Sequence, residues 1–187
     1  MPELLHGPDP IEIERDARER AVYVRRWVVA LLVIVAMAIG SAISQARVPL
    51  LSTIDFGIHE FGHLIFSWAP EPVVLAAGSV VQVALPLGLA AYFALRRGEM
   101  WAAAPLVAWA GTSLRNVAVY IADAPYQRLE LWGGENVVHD WAQLLAGRAI
   151  QHADLYAWFA NAAGWLLVAT ALALAISNLA AQPTASG

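Results

Sequence analysis

Residues 27–44 read WVVALLVIVAMAIGSAIS, a run without a charged side chain. A hydrocarbon core of about 30 Å takes roughly 20 apolar helical residues to cross, so this run predicts a transmembrane helix. Toward the N-terminus, Asp9-Pro10 reads as a helix N-cap followed by proline at the first helical position. Glu12 and Glu14 precede Arg15, Arg18, Arg20, Arg25 and Arg26, the charge order that suits a helix dipole. Residues 1–26 are therefore expected to form a charged cytoplasmic helix, too acidic and too far ahead of the apolar run to be a signal peptide. Toward the C-terminus, apolar stretches recur at 48–69, 73–95, 101–122 and 155–180. The first of these is interrupted by Asp55, His59, Glu60 and His63, so it either crosses or forms a re-entrant segment lining a cavity. The expected fold is an all-α polytopic membrane protein with about five transmembrane helices and a short interfacial or re-entrant helix before the last. Residues 27–180 would make the membrane domain and 181–187 a disordered tail.

Composition points the same way. Hydrophobic residues make up 59% of the chain and charged residues 14%, with a mean hydropathy of +0.56; soluble domains carry about 25% charged residues. A net charge of −4 lends no electrostatic support to a nucleic-acid partner. The partner that composition implies is the lipid bilayer. The absence of cysteine removes disulfides and thiol catalysis, and leaves His, Asp and Glu to hold any metal. The chain has no lysine either, so arginines alone set the orientation. With five crossings and a cytoplasmic N-terminus, the five arginines before Trp27 join Arg128 and Arg148 inside, against Arg47, Arg96 and Arg97 outside. That asymmetry favours N-in and C-out. Arg96 and Arg97 fit better if the stretch 48–69 does not fully cross.

His59-Glu60-Phe61-Gly62-His63 is an H-E-x-x-H sequence inside an apolar stretch. On a helix, positions i and i+4 share a face, so both imidazoles can reach one metal ion with Glu60 beside it. The donor types suit Zn2+, which with three protein ligands keeps a fourth position for water and lowers that water's pKa toward ~7. Glu60 is then the candidate general base. The plain alternative is a pair of structural histidines. Against it stands the cost of ionisable groups at membrane depth, about 2.5–3.5 kcal/mol each on insertion scales, which marks them as functional. Asp55, four residues before His59, would accept the ring N–H of a ligating histidine, would bind metal itself if the helix bends at Gly57, or would simply face water near the start of its helix.

A third ligand has to come from elsewhere in the chain. His139-Asp140-Trp141 opens a short apolar segment, and zinc chemistry is as content with His139 as with Asp140. Adjacent helical residues point about 100° apart, so the two are not expected to share one ion. Asp140 also reads as a dipole-favoured acid in a first helical turn. Asp123 is a further candidate ligand or an interfacial cap.

The H-E-F-G-H within an apolar span, followed by Ala77-Gly78-Ser79-Val80-Val81-Gln82 opening the next, resembles the site-2 protease family of intramembrane zinc metalloproteases. Members of that family carry a Gly-Pro-x-x-Asn segment after the zinc motif, whose Asn holds substrate backbone. Here Gly78 matches, Ser79 stands for Pro and Gln82 for Asn, so the resemblance implies that Gly78 and Gln82 contact substrate. The family's third ligand is an aspartate in a Leu-Asp-Gly context. This chain lacks that triplet, and the resemblance places the ligand at Asp140. It covers roughly residues 54–145 and implies hydrolysis of a peptide bond in or near a partner's transmembrane segment. Zinc hydrolysis of a lipid or amide head group, and a non-enzymatic metal- or proton-handling role, are the competing expectations.

The remaining features are structural or supporting. With Asp140 in a connection expected to be cytoplasmic, either residues 137–150 dip into the membrane, aided by a turn at Gly133-Gly134, or the metal lies toward the cytoplasmic side. Pro70-Glu71-Pro72 followed by Val73-Val74-Leu75 is expected as a short extended edge for an unfolded substrate strand, or else a plain turn. Arg115 needs a partner at membrane depth, expected to be Asp123 or Asp140 unless it serves an oxyanion. Asn116 and Asn161 are expected to bond between helices. Trp27, Trp68, Trp101 and Trp158 read as interface anchors, and Ala36-x-x-x-Gly40 and Ala160-x-x-x-Gly164 as helix-packing patterns.

Overall fold

The computed structural model describes residues 9–129 and 138–181, with the Arg148 side chain left aside. The tail expected at 181–187 lies outside the described residues but for Ala181, and so do Gly133 and Gly134. Six α-helices follow one another: α1 Pro10–Ile43, α2 Leu51–Ile65, α3 Glu71–Tyr92, α4 Met100–Asp123, α5 Asp140–Leu144 and α6 Ala153–Ala180. No strand occurs among the described residues. The Asp9 carboxylate accepts the Ile11 N–H at 2.9 Å and Pro10 opens α1, as the Asp-Pro pair implies. The helix then runs without a break through residues 26 and 27, so the charged segment and the apolar run share one helix.

Three helical segments are long and apolar enough to cross a bilayer: Pro10–Ile43, Glu71–Arg97 (α3 with a π-helical extension) and Ala149–Ala180. Their outward faces carry the large side chains, among them Leu32, Val80 and Leu166. Their inward faces include small ones, with Ala30, Ala77, Ala90, Ala171 and Ala175 buried. Lipid tails are as apolar as leucine, so close backbone approach and van der Waals packing hold such helices together. Gly111 of α4 and Gly164 of α6 show how close: a Cβ on either would stand within 2.7 Å of the other's carbonyl oxygen. Gly40 instead backs onto Val48 and Pro49 of the following connection.

The expected count of five crossings depends on α2 and α4, and the two differ. At 24 residues α4 is about 36 Å long. It falls short in apolarity because α1, α3 and α6 surround it, so it presents Thr112, Ser113 and Asn116 to protein instead of lipid. In contrast, α2 has 15 residues and reaches only about 22 Å.

Helix directions follow from contacts at two levels. Arg26 of α1 lies over the Trp101 ring of α4, and Ser41 of α1 accepts from Arg115 of α4. Fifteen residues separate the two contacts on α1 and fourteen on α4, so these helices run parallel. On α6, Asn161 accepts from Arg115 while Asn178 accepts from Tyr23, so α6 runs antiparallel to both. Through Gln82–Asn116 and the short link from 97 to 100, α3 also runs antiparallel to α4. Helix α2 runs parallel to α4, but Asp55 in its second turn already sits beside Trp109 and Ser113, halfway along α4. The chain leaving α1 therefore folds back along it before α2 begins. Left-handed backbone at Gln45, Ala46 and Leu50 makes that reversal. The bundle thus has a near end, where Tyr23, Arg26, Trp101 and Asn178 meet. At its far end Ile121, Ala124, Leu145 and Ala153 pack together.

Two local expectations change. Residues 73–75 are helical, because Pro70 caps α3 and Pro72 sits in the first turn, where the missing N–H has no partner to lose. Trp27 is buried between α1, α4 and α6 instead of facing an interface, whereas Trp68 and Trp158 are exposed.

Candidate metal centre

The polar residues of α4 form a stripe at 109, 113, 116 and 120, a 4-3-4 spacing that keeps one helix face. Each member reaches α2, α3 or α5. Trp109 Nε1 and Ser113 Oγ both donate to Asp55 Oδ1 at 2.8 Å. Asn116 Oδ1 accepts from Gln82 Nε2 at 3.4 Å. Tyr120 Oη accepts the Asp140 backbone N–H at 3.0 Å and donates to Asp140 Oδ2 at 3.4 Å. The stripe therefore seats the short α2 and the five-residue α5 against the central helix. Trp141 Nε1 donates to Ser79 Oγ at 3.0 Å, tying α5 to α3.

At the centre, Asp140 Oδ2 lies 3.0 Å from His59 Nε2 and 3.2 Å from His63 Nε2. The three donor atoms lie within 4.8 Å of one another. The far side of each imidazole is already committed. His59 Nδ1 lies 3.2 Å from Gln82 Oε1 and His63 Nδ1 lies 2.8 Å from the Val74 carbonyl oxygen. Both partners are acceptors, so both Nδ1 atoms carry the proton and both Nε2 atoms present a lone pair in the neutral ring. Two bare nitrogens and a carboxylate oxygen cannot face one another at these distances without a cation or added protons between them. Two imidazole nitrogens and a carboxylate oxygen, with an acceptor behind each ring, are a donor set that fits zinc.

Gly78 completes the cradle. A Cβ there would stand 2.5 Å from His59 Nε2 and 2.6 Å from His63 Nε2. Glu60, next to His59 on α2, lines a cavity of about 330 Å³ together with the histidines, Gln82, Asn116, Tyr120 and Asp140. The cavity continues past Ser52 and Phe56 to Arg47, Leu129 and Val138.

Several expected roles change hands. Asp55 keeps to its own side of α2, because Trp109 and Ser113 give its buried carboxylate two donors. Gln82 takes the place expected of Asp55 behind His59, and it also lines the cavity on which the resemblance implies a substrate contact. His139 is not turned toward the cluster. Its Nδ1 accepts the Ala142 N–H at 3.2 Å, capping α5, and its Nε2 lies 3.4 Å from Asp123 Oδ2, out of line for a hydrogen bond. Burial holds this imidazole below its ordinary pKa, against the opposing pull of Asp123. The ring stacks on Tyr120 with centroids 4.2 Å apart. Asp123 caps the turn after α4 by accepting the N–H groups of Arg128 and Leu129 at 3.0 Å each.

Arg115 pairs with neither expected acid. It donates to Ser41 and Asn161 and lies 4.0 Å from the Trp165 ring centroid, a cation–π contact that helps hold a guanidinium at depth. Asn116 and Asn161 do bond between helices. Tyr120 is the residue that the sequence reading missed. The polar stripe on α4 was the signal that could have found it. Compared with family models, with curated proteins and with solved structures, the chain finds no match.

Proposed function

We propose that this protein is a membrane-embedded zinc metallopeptidase that cleaves a peptide bond in or near a partner's membrane segment, as the resemblance to site-2 proteases implies. One observation carries this reading. His59 and His63 turn their Nε2 atoms onto one oxygen of Asp140, with Glu60 on the same cavity. A divalent cation held by these three residues supplies Lewis-acid polarisation and brings the pKa of water toward ~7. Glu60 takes the proton from water as the water oxygen bonds to the scissile carbonyl carbon, and returns it to the leaving nitrogen as the C–N bond breaks. Tyr120 donates its O–H to the carbonyl oxygen as that oxygen becomes an oxyanion, and keeps its proton throughout. Its Oη is held in place by the Asp140 N–H. The acceptor of its own proton is a distant 3.4 Å, which leaves the proton available. Among the described residues three donors converge, which supports a position left for water over a closed structural site.

Metal analysis of the purified protein tests the core of the proposal. Wild type and His139→Ala are expected to hold one equivalent of zinc, and Asp140→Ala none. Loss of metal from His139→Ala with retention by Asp140→Ala would reverse the ligand assignment. A metal-free wild type would end the reading. Tyr120→Phe keeps the ring and its stacking on His139. It is expected to retain zinc while kcat falls about 10²-fold with KM little changed. If excess zinc restored activity, Tyr120 would only position Asp140.

A second reading draws support from two observations. Residues 73–75 are helical and offer no strand edge, and an apolar groove behind α5 is lined by Val83, Leu87, Leu114 and Phe159. The same chemistry would then act on a lipid-borne amide, and cleavage of phospholipid or acyl-amide vesicles in place of a peptide reporter would establish it.

A further inference from the structure

We infer that the metal centre opens to the extracytoplasmic face, so that its substrates are peptide bonds at the outer end of a membrane segment. The assignment of the bond type rests on the metallopeptidase reading above; the sidedness does not. The helix directions place the C-terminal ends of α1, α2 and α4, the start of α3, and α5 at the far end of the bundle. The metal ligands sit there too. Tyr120 is three residues from the end of α4, His63 two from the end of α2, and Gly78 seven into α3. The cavity leads from the ligands to Arg47 in the α1–α2 connection and to Leu129 and Val138 beyond α4. It opens at the far end.

Because α2 begins partway along α4, four helices run between the two ends, and Tyr23 meets Asn178 at the near one. The arginines then sort differently from a five-crossing arrangement. Arg15, Arg18, Arg20, Arg25 and Arg26 are joined at the near end by Arg96 and Arg97, giving seven. The far end has Arg47, Arg128 and Arg148, three. The positive-inside rule makes the near end cytoplasmic. Arg96 and Arg97 join the inner side in exchange for Arg128 and Arg148, so the balance stays seven to three with the N-terminus inside. A dip of the connection that carries Asp140 from the opposite face is no longer needed, since α5 lies at the face where His59 and His63 already are. The N-terminus stays cytoplasmic, and the end of α6 joins it there.

The chain has no cysteine, so single cysteines report sidedness without background. Tyr126→Cys and Gln151→Cys are exposed at the far end, Glu19→Cys and Ala181→Cys at the near end. In intact cells a membrane-impermeant maleimide is expected to label the first two fully, and the second two only after permeabilisation. The reverse pattern, or Glu19→Cys and Ala181→Cys labelling from opposite faces, overturns the inference. A companion pair of single-span reporters carries an unfolded cleavable stretch at the outer or the inner end of the span. Cleavage of the outer reporter alone is expected, and of the inner alone would overturn it. The labelling needs neither metal nor activity. If it comes out as expected while neither reporter is cut, the peptidase reading fails and the sidedness stands.

Discussion

Glu60→Gln is expected to lower the cleavage rate of a membrane reporter by about 10²–10⁴-fold while zinc content stays at the wild-type level. The reason is positional. Glu60 neighbours His59 on α2 and so points about 100° away from it, onto the cavity wall and not among the three donor atoms. Glutamine keeps the shape and the hydrogen-bonding reach of the side chain but cannot accept a proton at neutral pH. A role in catalysis therefore separates from a role in holding metal. Reporter cleavage and metal content measured on the same preparation decide the matter: turnover near the wild-type rate with full zinc would remove the proposed base. Loss of zinc along with activity would make Glu60 part of the metal's support.

Gly78→Ala is expected to weaken zinc binding by on the order of 100-fold or more, from a single methyl group on a residue with no functional side chain. The added carbon would lie 2.5 Å and 2.6 Å from Nε2 of His59 and of His63, distances that real Cβ contacts do not reach. The imidazoles are held from behind by Gln82 and the Val74 carbonyl, so they cannot retreat without giving up those bonds. Gly88, also on α3, has nothing within 4 Å of its would-be Cβ. Gly88→Ala is expected to keep wild-type zinc affinity, and to gain up to about 1 kcal/mol from the better helix former. Competition with a chelator gives both affinities. Equal affinities for the two variants would show that the ligands do not depend on the close approach of α3.

The two variants also mark how much a linear reading reaches. Charge-free runs long enough for a bilayer are local properties, so the all-α character and the helices starting at Pro10, Met100 and Ala153 were legible within a few residues. The spacing of His59, Glu60 and His63 was legible for the same reason, because residues four apart on a helix are neighbours whatever surrounds them. Asp140 was legible only as one of several acids and imidazoles. Choosing it over His139 required knowing that His139 spends its Nδ1 on capping α5. Asp55 misled because periodicity says which side of a helix a residue is on, but not which buried donors will claim it.

From the order of residues alone came the apolar helices, the one-turn spacing of His59 and His63 and the residue types able to join them. Those follow from hydropathy and from the helical repeat, which act over a few turns. The third member of the His59–His63–Asp140 group, the partners behind each imidazole, the place of Tyr120 and the start of α2 partway along α4 came only from the way α4 packs against its neighbours. Each depends on atoms that are distant in the chain meeting across a bundle. The direction of a short helix cannot be counted from its hydropathy, because nothing in fifteen residues says whether they start at a surface or halfway in.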